Sequence, residues 1–355
     1  MDGRLRRAAA LAAWLVRSMC ASLAVVQIWH GMAALADGEG MLAEHDGDAW
    51  RRQPFSEAVL RAGSAIPGAA CRRLTHAVWV VHAQGQACIR YYPSPDLGAA
   101  AGHTAVVFFH GDRLDGLAAV GDYGRLTPQD LLDTARRNAR HHGAPFVLVA
   151  RPGVFGSSGD HQQRHRLAEF LSLDAAVSAI RARHGLARVA LAGQSGGATA
   201  AAALLALGRT DVACAALASG AYEAIGAPGS PAGTGAGVDV GGIAADPARP
   251  LHLLADPQDA IVPHAGQQAF YRALRRAGHV ATLTEARGEG PDRHRLAPVA
   301  WAVAAGCARA ADRGGAPTPV ASMATPYQSS NVGARFSTKA ITASRCAPVL
   351  CAMAW

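Results

Sequence analysis

Lysine is almost missing from this chain. Lys339 is the only one, so the formal charge of +8 rests on arginine. Those arginines are scattered between acids, and no zinc knuckle, RNA-recognition signature or basic stripe interleaved with aromatics accompanies them, so no nucleic-acid partner is expected. No C-x-x-C pair occurs, which removes the usual spacing for structural zinc or dithiol redox work. The cluster Asp160-His161-Gln162-Gln163-Arg164-His165 has no carboxylate or cysteine at metal-ligand spacing and reads as a solvated helix entrance. Neither a metal nor a cofactor is expected. Aromatics make up 6% of the residues, too few to mark an aromatic-rich acyl tunnel. No apolar run near the N-terminus is long and unbroken, because Arg17 interrupts it, and a spanning helix is disfavoured.

What is present begins with an address. Arg4, Arg6 and Arg7 precede the apolar runs Ala8 to Val16 and Met19 to Trp29, and Ala34-Leu35-Ala36 offers a small-x-small cleavage site before Asp37. Residues 1–36 therefore read as a signal peptide, with an uncleaved anchor as the alternative. Arg6-Arg7 lacks the flanking residues of a twin-arginine signal, and Cys20 lacks a lipoprotein box. A periplasmic or secreted protein with no stable membrane association after leader cleavage follows, or a membrane-anchored one if the leader stays. Removing the leader leaves six cysteines, an even number that suits an oxidising compartment. Cys71 and Cys88 bracket the run His76 to His82 and the Gln84-Gly85-Gln86 turn, so a bridge across an opening hairpin is expected. Cys214 reads equally as a buried free thiol or as a partner for Cys307. Cys346 and Cys351 could close a small loop near the C-terminus.

Half of the 355 residues are hydrophobic, enough for a large core. Strands are predicted at His76 to His82, Ala87 to Tyr92, Thr104 to Phe109, Pro145 to Ala150, Ala187 to Ala192, Val212 to Ser219, Pro250 to Ala255 and His279 to Glu285. Helical patterns fall at Pro128 to His142, His165 to His184, Gly196 to Leu207, His264 to Ala277 and Leu296 to Ala311. In the second of these, Leu167, Phe170, Leu173, Val177 and Ile180 recur at the spacing of one helical face, and Gly185 is placed to end it. An opening hairpin followed by strand and helix in alternation predicts an α/β fold, a mostly parallel sheet with helices on both faces. Residues 37–70 read as an N-terminal extension and 71–311 as the domain. Gly226 to Asp246 reads as a Gly/Pro-rich insertion, either a lid or a surface loop, and 312–355 as a flexible tail.

Chemistry enters at Gly193-Gln194-Ser195-Gly196-Gly197, a G-x-S-x-G pentapeptide between an apolar strand and an alanine-rich helix. A serine on a sharp strand-to-helix turn needs small neighbours, and the helix beginning after it aims backbone N–H groups at a developing oxyanion. With this motif in place, the chain resembles the α/β-hydrolase fold family from about Cys71 to Ala311. The resemblance implies an eight-stranded sheet with a nucleophile after the fifth strand, an acid after the seventh and a histidine after the eighth. Ser195, Asp259 and His294 stand in those slots, and the D-x-x-V-P spelling from Asp259 to Pro263 is similar to the family's acid loop. Asp256, closer to the strand end, is the alternative acid. The stretch Phe108-Phe109-His110-Gly111-Asp112 resembles the family's His-Gly-x loop, which implies an oxyanion hole from the backbone N–H groups of Gly196 and Asp112. His110 then braces the loop. Arg151-Pro152-Gly153 is similar to the family's R-P-G loop, a structural turn, with binding of a substrate carboxylate by Arg151 as the alternative. The resulting expectation is an exported serine hydrolase that cleaves an ester-type bond of a small acyl substrate through an acyl-enzyme. A peptidase or amidase on the same fold and a non-catalytic binding scaffold are the alternatives. Oligomeric state is not legible.

Overall fold

The computed structural model describes residues 48–222 and 240–314. The leader, most of the Gly/Pro-rich insertion, the tail beyond residue 314, and Cys20, Cys346 and Cys351 lie outside the described residues. Strand β1 (Ala77–His82) pairs antiparallel with β2 (Gly85–Pro93), the opening hairpin. After β3 (Thr104–Phe109) and a two-strand ribbon of β4 (Leu114–Asp115) and β5 (Ala118–Ala119) come β6 (Phe146–Val149), β7 (Arg188–Gln194), β8 (Val212–Ala218), β9 (Leu251–Ala255) and β10 (Ala281–Glu285). The main sheet has eight strands in the order β1-β2-β6-β3-β7-β8-β9-β10. From β6 to β10 every neighbouring pair is parallel, and only β2 runs the other way, antiparallel to both β1 and β6. This is the α/β-hydrolase fold expected from the order of elements.

The central strands carry almost continuous apolar runs because both of their faces are covered. Every residue of β3 and of β8 is buried. Side-chain alternation along β3 divides the core into two layers. Ala105, Val107 and Phe109 face Phe170, Leu173, Val177 and Ile180 of helix α4 (Leu167–His184), while Val106 and Phe108 face Leu131 and Ala135 of α3 (Pro128–His142) and Val303 of α7 (Ala297–Asp312). Helix α5 (Gly196–Ala206) and helix α6 (His264–Arg276) belong to the first layer. Helix α4 begins at Leu167, two residues later than its sequence pattern suggested, because His165 takes φ +62° and points its ring elsewhere.

Two disulfides, among the described residues, each join elements packed within one cluster of the core. Cys71, which ends the short helix α2 (Gly68–Cys71) that follows α1 (Glu57–Ala62), bonds to Cys88 of β2 with a Cα separation of 5.6 Å. Cys214 of β8 bonds to Cys307 of α7 across 6.2 Å, which settles the open choice for Cys214 in favour of its pairing. Segments next to the sequence-defined domain also join its core. Phe55 and Leu60 are buried in the second layer, and Ile243, at the end of the insertion, in the first. At the other end α7 runs on to Asp312, whose carboxylate accepts from the Thr104 backbone N–H at the start of β3.

Candidate active site

The turn between β7 and α5 consists of Ser195 alone, at φ 55° and ψ −127°. A non-glycine residue there costs about 1–3 kcal/mol and persists only where its surroundings hold it. They do so through the backbone. Ser195 N donates to Ala218 O at 2.8 Å, and Ser195 O accepts from Ala198 N at 2.8 Å. The next residue has no room for a side chain. A Cβ on Gly196 would stand 2.7 Å from His165 Nε2 and 2.8 Å from Arg151 Nη1, and would collide with Asp112 Oδ1. As the first residue of α5, Gly196 has an N–H with no intrahelical partner.

The loop leaving β3 lies against this turn. A Cβ on Gly111 would come within 3.2 Å of Ser195 Cβ and 3.8 Å of Ser195 Oγ. His110, beside it, is 1% exposed and braced on two sides. Its Nε2 accepts from Arg151 N at 3.3 Å, so Nδ1 carries the proton and donates to Gly111 O at 2.7 Å. Burial, and then the charges of Arg113 and Arg151, hold its pKa well below the ordinary imidazole range. His110 is therefore neutral and serves as a brace.

Asp112 is the centre of a charged network. Arg151, fully buried, donates from Nη1 to Asp112 Oδ1 at 2.6 Å and from Nε to Glu169 Oε1 at 2.6 Å. Arg164 Nε donates to Asp112 Oδ2 at 3.0 Å, His165 Nε2 lies 3.1 Å from Oδ1, and the backbone N–H of His165 donates to Glu169 Oε2. Burial alone would raise the Asp112 carboxyl, but Arg151 and His165 override it and hold the group far below the usual carboxylate range. The solvated reading of the Asp160–His165 segment is thus corrected. His161 is fully buried and its Nε2 accepts from Arg113 N at 3.0 Å, while Arg164 and His165 turn inward to the Asp112 carboxylate. The physical reason is that a carboxylate enclosed beside the serine turn requires polar partners, and this segment supplies the Arg164 guanidinium and the His165 ring. Among the described residues no group of three or more His, Cys, Asp or Glu side chains could hold a metal.

On the other side, the loops after β9 and β10 bring an acid and a histidine together. His294 Nδ1 stands 2.9 Å from Asp259 Oδ2 and 3.0 Å from Oδ1. The Asp259 side chain is wholly buried and that of His294 is 12% exposed. Asp259 Oδ1 also accepts from the backbone N–H groups of Ile261 and Val262, each at 2.9 Å, which fixes the carboxylate before the imidazole meets it. Asp256 is engaged differently. Its Oδ1 accepts from Gln258 N at 2.8 Å, and its Oδ2 accepts from Gly288 N at 2.8 Å and Arg293 Nε at 2.7 Å. Burial would raise the Asp256 carboxyl, yet these hydrogen bonds and the Arg293 charge hold it below its usual value. Asp256 ties the two loops together through the backbone N–H groups of Gln258 and Gly288 and the Arg293 side chain, and Asp259 faces the histidine.

One contributor was invisible in the sequence. Gln194, next to Ser195, donates from Nε2 to His294 O at 2.9 Å and accepts at Oε1 from Leu296 N at 2.8 Å. It clasps the histidine loop to the serine turn. Its position in the pentapeptide is the unspecified one after the first glycine, so no motif marked it. Arg151 and Glu169 were equally unmarked as a pair, although the R-P-G loop had singled out the arginine as structural.

No protein-family model matches the sequence, and no curated protein is similar to it. Solved structures are similar in shape. Est1E from Butyrivibrio proteoclasticus, with ferulic acid bound, is 14% identical with a TM-score of 0.42, over 59% of this chain and 89% of that one. The esterase Pf2001 of Pyrococcus furiosus is 14% identical with a TM-score of 0.44, over 68% and 93% of the two chains. An acylaminoacyl peptidase in complex with Z-Gly-Gly-Phe-chloromethyl ketone is 15% identical with a TM-score of 0.45, over 73% of this chain and 46% of that one. The fold is defined by the strand order and not by likenesses of this size.

Proposed function

We propose that the chain is an exported serine hydrolase that cleaves an ester-type bond of a small acyl substrate. The observation that carries this reading is the Asp259–His294 pair, held by the Gln194 clasp to the turn bearing Ser195. In the proposed reaction His294 Nε2 takes the Ser195 proton as Oγ attacks the acyl carbonyl. Asp259 keeps the proton on His294 Nδ1, which sets the useful tautomer and stabilises the imidazolium. The backbone N–H groups of Gly196 and Asp112 are the proposed donors to the oxyanion. His294 then protonates the leaving alcohol, and water, activated by the same histidine, releases the acid and restores Ser195. Export is supported by the two disulfides among the described residues, which suit an oxidising compartment. No helix among the described residues is long and apolar enough to cross a membrane.

The test is a fluorophosphonate probe followed by an ester panel. Stoichiometric labelling of Ser195 is expected, together with loss of turnover in Ser195→Ala. Asp259→Asn should cost about 10⁴-fold in kcat, as loss of an acid that sets the tautomer does. Asp256→Asn should retain most activity. Full turnover in Ser195→Ala refutes the reading, and a crippled Asp256→Asn beside an active Asp259→Asn moves the acid back three positions.

A further inference from the structure

A cavity lies at the opposite end of the strands from the serine turn. Ser195 follows the C-terminal end of β7, whereas this cavity of about 300 Å³ is lined by Pro93 to Pro95, Leu97 and Gly98 after β2, by Leu132 and Arg136 of α3, and by Arg51, His76 and His184. Pro93 pairs with Val147 near the start of β6, and His184 ends the helix that leads into β7, so the cavity sits where the parallel strands begin. Its size falls at the lower end of the range for small-molecule sites.

The chemistry of its wall is one-sided. Two guanidinium groups and two imidazoles line it, and no carboxylate does. Asp133 accepts from Arg136 Nη1 at 2.8 Å, and Asp48 faces Arg51 Nε at 3.2 Å, so each acid engages a single nitrogen. Tyr91 OH accepts from Arg183 Nη1 at 3.2 Å and stands 3.1 Å from His184 Nε2, which holds the His184 ring at the cavity wall. His76 is strained as well as enclosed. It takes φ 54°, a conformation that non-glycine residues adopt at a cost, and its buried Nδ1 has no hydrogen-bond partner among the described residues. Burial first, and then Arg90, Arg51, His184 and Arg183, pull its pKa to about 4. Burial is the larger cause of that depression, and the neighbouring guanidinium groups add to it in the same direction. Beneath the cations Pro93, Leu97 and Leu132 provide an apolar floor.

We propose that this cavity binds a small organic anion, with its carboxylate or phosphate head held by Arg51, Arg136 and His184 and its apolar body laid on Pro93, Leu97 and Leu132. An oxyanion there would form charge-assisted hydrogen bonds with guanidinium groups that each carry several N–H donors. The assignment is independent of the catalytic reading, because no residue is shared with the serine site.

Benzoate, phenyl phosphate and inorganic phosphate would each be titrated into Ser195→Ala protein by calorimetry, with the His76 ring resonances followed by NMR. Saturable binding of benzoate or phenyl phosphate at one site is expected, with a shift of the His76 signals. Benzoate alone assigns a carboxylate head and phenyl phosphate alone a phosphate head. Inorganic phosphate should bind more weakly than phenyl phosphate, since it lacks the apolar body. The double variant Arg51→Gln/Arg136→Gln should weaken binding by about tenfold or more, the effect of losing a charge-assisted contact. Gly98→Phe, at a position where a Cβ meets nothing within 4 Å, should block the cavity without disturbing the core. Failure of both organic anions to saturate, or unchanged affinity in both variants, overturns the proposal.

Discussion

Replacing Gln194 tests whether the histidine loop is placed by a single side chain. In Gln194→Ala both partners lose their bond at once, the His294 carbonyl and the Leu296 N–H, and the wild-type glutamine is only 7% exposed. A buried polar group left without a partner costs about 1–3 kcal/mol, so two such groups put the expected loss at about 2–6 kcal/mol in urea unfolding. Freed from the clasp, His294 should also drift from Ser195, and a misplacement of about 1 Å costs on the order of 10²-fold in rate. Gln194→Glu separates the two bonds. The carboxylate still accepts from Leu296 N, but its second oxygen now meets the His294 carbonyl where an N–H donated before. Protonating that oxygen restores a donor, so the folded state raises the pKa of the new glutamate. The deficit of Gln194→Glu relative to wild type should therefore shrink as pH falls toward and below that raised pKa, while the deficit of Gln194→Ala stays. Fluorophosphonate labelling rates report the position of the histidine, and urea midpoints report stability. Wild-type values of both in Gln194→Ala would refute the clasp.

The two disulfides should differ in weight. Closing loops of 17 and 93 residues predicts losses of about 3 kcal/mol for Cys71→Ser/Cys88→Ser and about 4–5 kcal/mol for Cys214→Ser/Cys307→Ser, measured by urea unfolding, and the reverse order would contradict the loop-entropy account. Arg151→Met leaves Glu169 buried without its cation and removes one from Asp112, for an expected cost of about 3–5 kcal/mol, with Arg151→Lys intermediate because one ammonium does not span both carboxylates; a wild-type melting temperature for Arg151→Met would rule this out. Acid should destabilise the fold well before its carboxylates titrate. His161 and His252 are buried, and burial brings their pKa values to about 2 and about 4, so between these values and the ordinary value near 6.5 the unfolded chain binds more protons than the folded one. Stability is then fully present above about pH 6.5 and falls by about 1.4 kcal/mol per pH unit for each histidine below it. Unfolding free energies that stay flat between pH 6.5 and 4 would contradict this.

The sheet was legible because its strands are of the kind a sequence shows clearly. Thr104–Phe109 and Val212–Ala218 are unbroken apolar runs bounded by turns, and a strand covered on both faces must look that way. Helix α3 could be placed to the residue, since Thr127 and Asp130 form a capping box at its start and Gly143 takes a left-handed conformation at its end. The Cys71–Cys88 bridge followed from two cysteines that bracket the first strand and the turn of the opening hairpin. Cys214 and Cys307 were harder to read. Both sit in apolar, alanine-rich stretches where a thiol and a half-cystine look alike, and only the packing of α7 on β8 brings them within 6.2 Å.

The site was legible where chain order matters and illegible where charge compensation does. Chain order and the family resemblance singled out Ser195, Asp259 and His294, each after a strand, and the structure brings the last two together. Position alone could not choose between Asp256 and Asp259. That choice depends on which carboxylate the backbone leaves free to face the imidazole, and Asp256 is taken up by Gln258, Gly288 and Arg293. The Asp112 network was hidden for the same reason. Its members are separated in sequence by 39 residues from Asp112 to Arg151 and by 18 from Arg151 to Glu169, and no periodicity links them. What joins them is the shortage of space beside Gly196. A chain that packs an aspartate against the residue after its serine must bury that charge, and so must bring Arg151, Arg164 and His165 to it. The histidine-rich segment that looked solvated in the sequence is polar because it answers a carboxylate inside the fold.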